Sequence, residues 1–177
     1  MNKFLWLQQI QLWDTHWCLR LNHFSADKQI ALFFKMISRL GDGWFWYALI
    51  ISLAIYEGAK AYLFLGQTLL VSSLGLLIYK YLKTRTLRPR PYQVHQAIVL
   101  GERPLDHFSF PSGHTLHAVL FTIMLSSQWP ALSVILLPFT LLIALSRMIL
   151  GLHYPSDVLV GAILGGCLAS GALGVLG

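Results

Sequence analysis

From Ala61 to Tyr79 the chain runs nineteen residues without one charged side chain. A stretch of that length matches the ~20 apolar residues that a helix needs to cross a bilayer. It is not isolated: hydrophobic residues make up 56% of the 177 residues and charged ones only 11%. A soluble domain of this size would need far more charge to cover its surface. No Ser/Gly/Pro linker or acidic run divides the chain, so one unit spanning 1–177 is expected. The fold class that follows is all-α, a polytopic membrane helical bundle.

Five spans are expected in the core at 42–177: Trp44 to Tyr56, Ala61 to Tyr81, Ser112 to Ser127, Ala131 to Leu150, and Pro155 to Leu176. The first is short, with aromatic residues at both ends. Pro138 is expected to kink the fourth, and Gly161, Gly165 and Gly166 leave room for a neighbouring helix on the fifth. Residues 1–41 read differently. Leu5, Leu12, Trp17, Leu19 and Leu21 alternate with Gln, Asp, His and Arg, and Ile30, Phe33, Phe34 and Ile37 share one side of a second segment. Two interfacial amphipathic helices are expected there, with Trp6, Trp13 and Trp17 at headgroup level. Ser25 is a candidate cap for the second, with Asp27 in its first turn. Gln8, Gln9, Gln11, Asp14 and His16 interrupt any apolar core near the start, so no cleavable signal is expected. Cys18 and Cys167 have no zinc-type spacing and read as filler.

The net charge of +6 is concentrated, with Lys80, Lys83, Arg85, Arg88 and Arg90 inside eleven residues. Because the patch adjoins membrane segments, it suits anionic headgroups and not nucleic acid. It opens a polar connection, 82–111, that is long for a structureless loop and so is expected to be functional. Five spans bring this connection, the start of the third span and the turn at Ser146–Asp157 to one membrane face. That face then holds Lys83, Arg90 and Arg147, His114 and His153, Asp157, and the Ser112-Gly113 turn entering a helix. Charges near membrane depth are costly unless paired or used. A phosphate group satisfies this set: Arg forks grip its oxygens, Lys adds a point charge, and a helix start offers free N–H groups.

These segments resemble the three signature motifs of the type 2 phosphatidic acid phosphatase (PAP2) superfamily, lipid phosphatases related to vanadium haloperoxidases. The first motif matches through Lys83, Arg90 and Pro91, the second through Pro111-Ser112-Gly113-His114, and the third through Ser146-Arg147, His153 and Asp157. Each motif is weak alone; all three in order at one face are not. The resemblance implies an enzyme in which His153 attacks phosphorus in line to form a phosphohistidine. It implies that Asp157 fixes the tautomer of that ring and that His114 protonates the leaving oxygen, then activates water. Lys83, Arg90 and Arg147, with Ser112 and Gly113, would bind the phosphate oxygens. No cofactor and no metal is implied, since three cations aimed at one spot repel a metal ion. His117 reads as structural, and His95, His107, Asp106 and Glu102 as solvated loop residues. Arg88, Arg85 and Lys80 read as headgroup contacts or neutralising charges, and Tyr154 and Asp42 as outer supports of the site.

The implied substrate is a membrane lipid phosphate presented from the bilayer. Undecaprenyl pyrophosphate ranks first, as in carrier-lipid recycling for the cell envelope, with phosphatidylglycerophosphate or phosphatidic acid as alternatives. The resemblance places the chain in a bacterial inner membrane with its site on the extracytoplasmic face. The positive-inside rule points the other way, but it is counting residues that phosphate binding already explains. A haloperoxidase is disfavoured by hydropathy. A non-catalytic anionic-lipid binding or transport protein needs the cations but not His153 with Asp157.

Overall fold

In the computed structural model, residues 3–176 are described. Met1, Asn2 and Gly177, the ends of the expected single unit, lie outside the described residues. The elements are α1 (Lys3–Asn22), a 3₁₀ turn (His23–Ala26), α2 (Lys28–Leu40), α3 (Trp44–Glu57) and α4 (Ala59–Thr86). They continue with α5 (Pro91–Val94), α6 (Gly113–Gln128), a second 3₁₀ turn (Pro130–Leu132), α7 (Ser133–Ile149) and α8 (Pro155–Leu176). The described residues contain no strand, as an all-α bundle requires. Three segments, Ala59–Val94, Pro130–Ile149 and Pro155–Val175, are long and apolar enough to cross a membrane. The shorter α3 and α6, with 14 and 16 residues, lie among them. Pro138 sits inside α7 without ending it.

Helix ends follow local chemistry. Gly58, at φ 66°, makes the turn between α3 and α4, a conformation that a Cβ disfavours. Asp27 is the N-cap of α2, accepting from the amides of Gln29 at 2.7 Å and Ile30 at 3.2 Å. Ser25, the expected cap, instead donates to Asn22 O at 2.7 Å. α4 is longer than expected, because long basic side chains extend from its last turn while the backbone stays helical. Lys83 therefore sits on a rigid helix and not in the connection.

The core gathers around α6. Leu116, Leu120, Met124 and Leu125 are fully buried, and Trp46 of α3 stacks on Phe121 at 5.1 Å. Thr122 and Thr140 share a 2.6 Å hydrogen bond between α6 and α7, a contact favoured where no water competes. α8 lies closest of all. A Cβ on Gly161 would come 2.5 Å from Ser112 O, and one on Gly165 would come 2.2 Å from Leu116 O. Gly166 faces more open space, its nearest neighbour being Ile123 at 3.9 Å. Of the three small residues read as an interface, two make it.

Chain direction separates two ends of the bundle. Glu57 accepts from Trp129 Nε1 at 3.1 Å at one end, where α3 turns into α4 and α6 into α7. The other end carries residues 41–43, the 87–112 connection and the 150–154 turn, with α1 and α2 packed beside them. α1 is polar on the inside: Asp14, Cys18 and Asn22, one turn apart, are buried, whereas Leu5, Trp6, Leu12 and Trp13 are exposed.

Candidate active site

His153 lies in the turn between α7 and α8, held by its own amide donating to Arg147 O at 3.1 Å. Its Nε2 is 3.4 Å from Arg90 Nη1, and that same Nη1 donates to Leu152 O at 2.8 Å. Arg90, 1% exposed, is thus pinned beside the imidazole. Burial, followed by Arg90, Arg147, Lys83 and His114, pushes the His153 pKa well below its usual 6.5. All four cationic or ionisable partners disfavour a proton on that one ring.

Arg147 leaves the last turn of α7, 3% exposed, with Nη1 donating to Ser38 Oγ of α2 and Nε without a partner. Ser112 caps α6, its hydroxyl 2.9 Å from Thr115 Oγ1, and its amide donates to Asp157 O at 3.0 Å. Gly113 follows because the ring of Tyr79 would lie 2.8 Å from a Cβ there. His114 Nε2 hydrogen-bonds Asp42. A cavity of about 230 Å³ between α3, α4 and α6 is lined by His114, Asp42, Gly113, Trp46, Leu76 and others. His117 lines the same cavity, its ring nitrogens facing the carbonyls of Gly113 at 2.9 Å and Ser72 at 3.2 Å.

The structure brings Lys83, Arg90, Ser112, Gly113, His114, Arg147, His153 and Asp157 to one end of the bundle. One expected contact is missing in its simple form. Asp157 Oδ2 is 3.8 Å from His153 Nδ1, beyond hydrogen-bond reach, and Nδ1 has no partner. Oδ2 instead accepts from Tyr154 N at 2.9 Å, and Oδ1 accepts from Arg88 Nη1 at 2.6 Å.

Of the two roles expected for Arg88, headgroup contact or neutralising charge, it takes the second. Its other arm, Nη2, donates to Asp14 at 2.6 Å, and its guanidinium lies 4.1 Å from the Tyr154 ring centre. Asp106 is not a solvated loop residue. Its Oδ1 accepts from Lys83 and, at 2.8 Å, from Arg90, while Oδ2 accepts from Tyr79 OH at 2.6 Å. Burial would raise its pKa, but Lys83, Tyr79 and Arg90 outweigh that and hold it well below the usual carboxylate range. Glu102 accepts from Arg39 at 3.0 Å, tying the connection to α2, and His95 is 3.3 Å from Thr15. Sequence reading missed these acids because no local spacing marks a pair joined across the fold.

Asp106 holds the cation pair that a phosphate oxygen would use, so a phosphate bound there would have to exchange with it. Asp106→Asn removes a competing anion whose repulsion at ~5 Å is worth about 3 kcal/mol at an effective dielectric of 20. Inorganic phosphate should then inhibit about tenfold or more tightly, measured as a competitive inhibition constant. An unchanged constant would mean that the carboxylate moves aside freely.

Among the described residues, no group of three or more His, Cys, Asp or Glu side chains is placed as metal ligands would be. The family model of the PAP2 superfamily matches residues 61–176. A decaprenylphosphoryl-5-phosphoribose phosphatase of Mycobacterium tuberculosis is 32% identical over 134 residues, 73% of this chain and 71% of the relative. An undecaprenyl-diphosphatase of Bacillus subtilis is 35% identical over 124 residues, 64% of this chain and 58% of that one. Among solved structures, the transmembrane PAP2-type phosphatidylglycerolphosphate phosphatase of Bacillus subtilis aligns with a TM-score of 0.76 at 25% identity. That alignment covers 94% of this chain and 86% of the other. Sequence match and shared architecture agree with the residues assembled around His153: the chain belongs to the PAP2 superfamily and is a membrane phosphatase.

Proposed function

We propose that the chain removes the terminal phosphate of a polyprenyl-type lipid phosphate or diphosphate, undecaprenyl diphosphate first, through a phosphohistidine at His153. The observation that carries this reading is the placement of a buried imidazole with Arg90 Nη1 3.4 Å from its Nε2. That pairing suits a nucleophile attacking phosphorus while a guanidinium receives the charge spread over the equatorial oxygens. Arg147, whose Nε has no partner, and Lys83 and Arg90, once released by Asp106, complete the oxygen cradle with the Ser112 hydroxyl and Gly113 N–H. His114, held by Asp42 at the cavity, protonates the leaving oxygen and then takes a proton from the attacking water. The apolar wall of that cavity, Trp46, Leu69 and Leu76, leads from His114 along the helices and suits a lipid tail.

Chains named for decaprenyl and undecaprenyl substrates among the relatives support the polyprenyl class. Taken as five spans, with α1 and α2 at the interface, the chain carries the site and the start of α1 on one face. We place that face outside the cytoplasm, in a bacterial inner membrane, and treat the whole chain as one catalytic unit without metal or cofactor.

The test is phosphate release by the purified protein from undecaprenyl diphosphate, phosphatidylglycerophosphate and phosphatidic acid in mixed micelles, with and without EDTA. Turnover is expected to be fastest on undecaprenyl diphosphate and unaffected by EDTA. Loss of activity with EDTA overturns the metal-free mechanism, and a clear preference for a glycerolipid overturns the substrate assignment.

A further inference from the structure

Asp14 is 0% exposed, on a helix outside the segment that the family model matches. Its Oδ1 accepts from Ser156 N at 2.9 Å, and its Oδ2 accepts from Ser156 Oγ at 2.5 Å and Arg88 Nη2 at 2.6 Å. Arg88 in turn grips Oδ1 of Asp157, also 0% exposed, whose Oδ2, accepting from Tyr154 N, stands 3.8 Å from His153 Nδ1. Burying a carboxylate is costly unless it is paired, and Asp157 alone would neutralise Arg88. The second carboxylate therefore needs a reason. With it, the trio of Asp14, Arg88 and Asp157 has a formal charge of one negative unit behind the imidazole.

The rest of α1 serves the same turn. Cys18 Sγ donates to His153 O at 3.4 Å, and Asn22 Nδ2 donates to Ile149 O at 2.8 Å. The polar stripe of α1 is thus laced to the segment 149–156 that bears the nucleophile.

We propose that Asp14 and Arg88 are positioning residues for the phosphatase reaction, Arg88 fixing Asp157 behind His153 and Asp14 supplying the surplus charge that steadies the ring during attack. The inference rests on His153 being the nucleophile. In that step the Nε2–P bond forms, the P–O bond to the leaving group breaks, and His114 protonates the departing oxygen. The ring keeps its Nδ1–H and is cationic until water takes the phosphoryl group. Lys83, Arg90, Arg147 and His114 surround the ring from the other elements and oppose that positive charge. Asp157 with Asp14 behind it is the counterweight, and Cys18 and Tyr154 complete the surroundings.

The signs of the effects are distinct. Asp14→Asn leaves the trio neutral, so the imidazolium is less stable and the acid limb of kcat moves to lower pH. Arg88→Gln leaves two negative charges and moves the limb to higher pH. Each shift is on the order of half a unit to one unit. Asp14→Asn with Arg88→Gln restores one net negative charge and returns the limb towards its wild-type position. Misplaced support should also lower kcat by about 10²-fold in either single variant, with KM for undecaprenyl diphosphate within about twofold.

The experiment measures kcat and KM against pH for these variants, for Arg88→Lys and for His153→Ala, using undecaprenyl diphosphate and phosphatidic acid micelles. Arg88→Lys keeps the charge and should keep the limb; it also serves if Arg88→Gln fails to fold. Limbs that stay in place, or move the same way in both single variants, overturn the proposal. If His153→Ala is inactive while those limbs stay fixed, only the positioning role falls. If His153→Ala turns over normally, the nucleophile assignment itself has failed.

Discussion

His153→Ala should abolish turnover on every lipid phosphate while leaving the protein folded. The side chain is buried, but its ring nitrogens hold no strong structural bond. Nδ1 has no partner, and Nε2 meets only Arg90 at 3.4 Å, which is itself fixed to Leu152 O and Asp106. The backbone anchor of the turn, His153 N to Arg147 O, survives the substitution. Stability should therefore fall by no more than about 1–3 kcal/mol, in the range of a modest core truncation. Activity has no such reserve, because without the imidazole no covalent intermediate forms. Losses of about 10⁴-fold or more are expected for a missing nucleophile, with the phosphate cradle still binding inorganic phosphate. Acid-labile ³²P labelling of the wild-type protein, absent in His153→Ala, is the accompanying check. A variant that retains label or more than about 1% of turnover would place the nucleophile elsewhere.

The second large effect comes from adding one carbon atom. In Gly165→Ala the new Cβ would stand 2.2 Å from Leu116 O, a backbone atom that no rotamer change can move. α8 must then back away from α6, and the hydrogen bond from Ser112 N to Asp157 O, 3.0 Å long, spans that same interface. A displacement of about 1 Å at the phosphate cradle costs about 10²-fold in rate, and the overpacking itself costs about 1–3 kcal/mol. Gly166→Ala is the matched comparison. Its Cβ meets only Ile123 at 3.9 Å, and Ala is favoured over Gly in a helix by about 1 kcal/mol. Thermal unfolding in detergent and phosphate release should separate the two neighbours sharply. Equal behaviour would mean that the α6–α8 contact is looser than its geometry.

Much of the bundle is legible in the sequence, because charge-free runs between polar turns are what a bilayer demands of a helix. The motif residues are legible for a related reason: Lys83, Arg90, His114, Arg147, His153 and Asp157 are residues costly near a membrane, and their spacing follows the three motifs of the family. What escapes is pairing at long range. Asp14 with Arg88, Asp106 with Lys83, and Asp42 with His114 join residues more than twenty positions apart, and one carboxylate in a polar loop looks like any other. The end of α4 escapes as well, since Lys83, Thr84, Arg85 and Thr86 read as loop composition although they complete a helical turn. The orientation of α1 is the instructive case. Periodicity reveals that Asp14, Cys18 and Asn22 share a face, but not whether that face meets water or protein.

That orientation has a consequence for the enzyme in its native setting. Leu5, Trp6, Leu12 and Trp13 are exposed on the outside of the same rod whose inside carries Asp14, Cys18 and Asn22, bonded to the 149–156 segment. A displacement of α1 would therefore be felt at the His153 turn through those bonds, with no residue of the cavity altered.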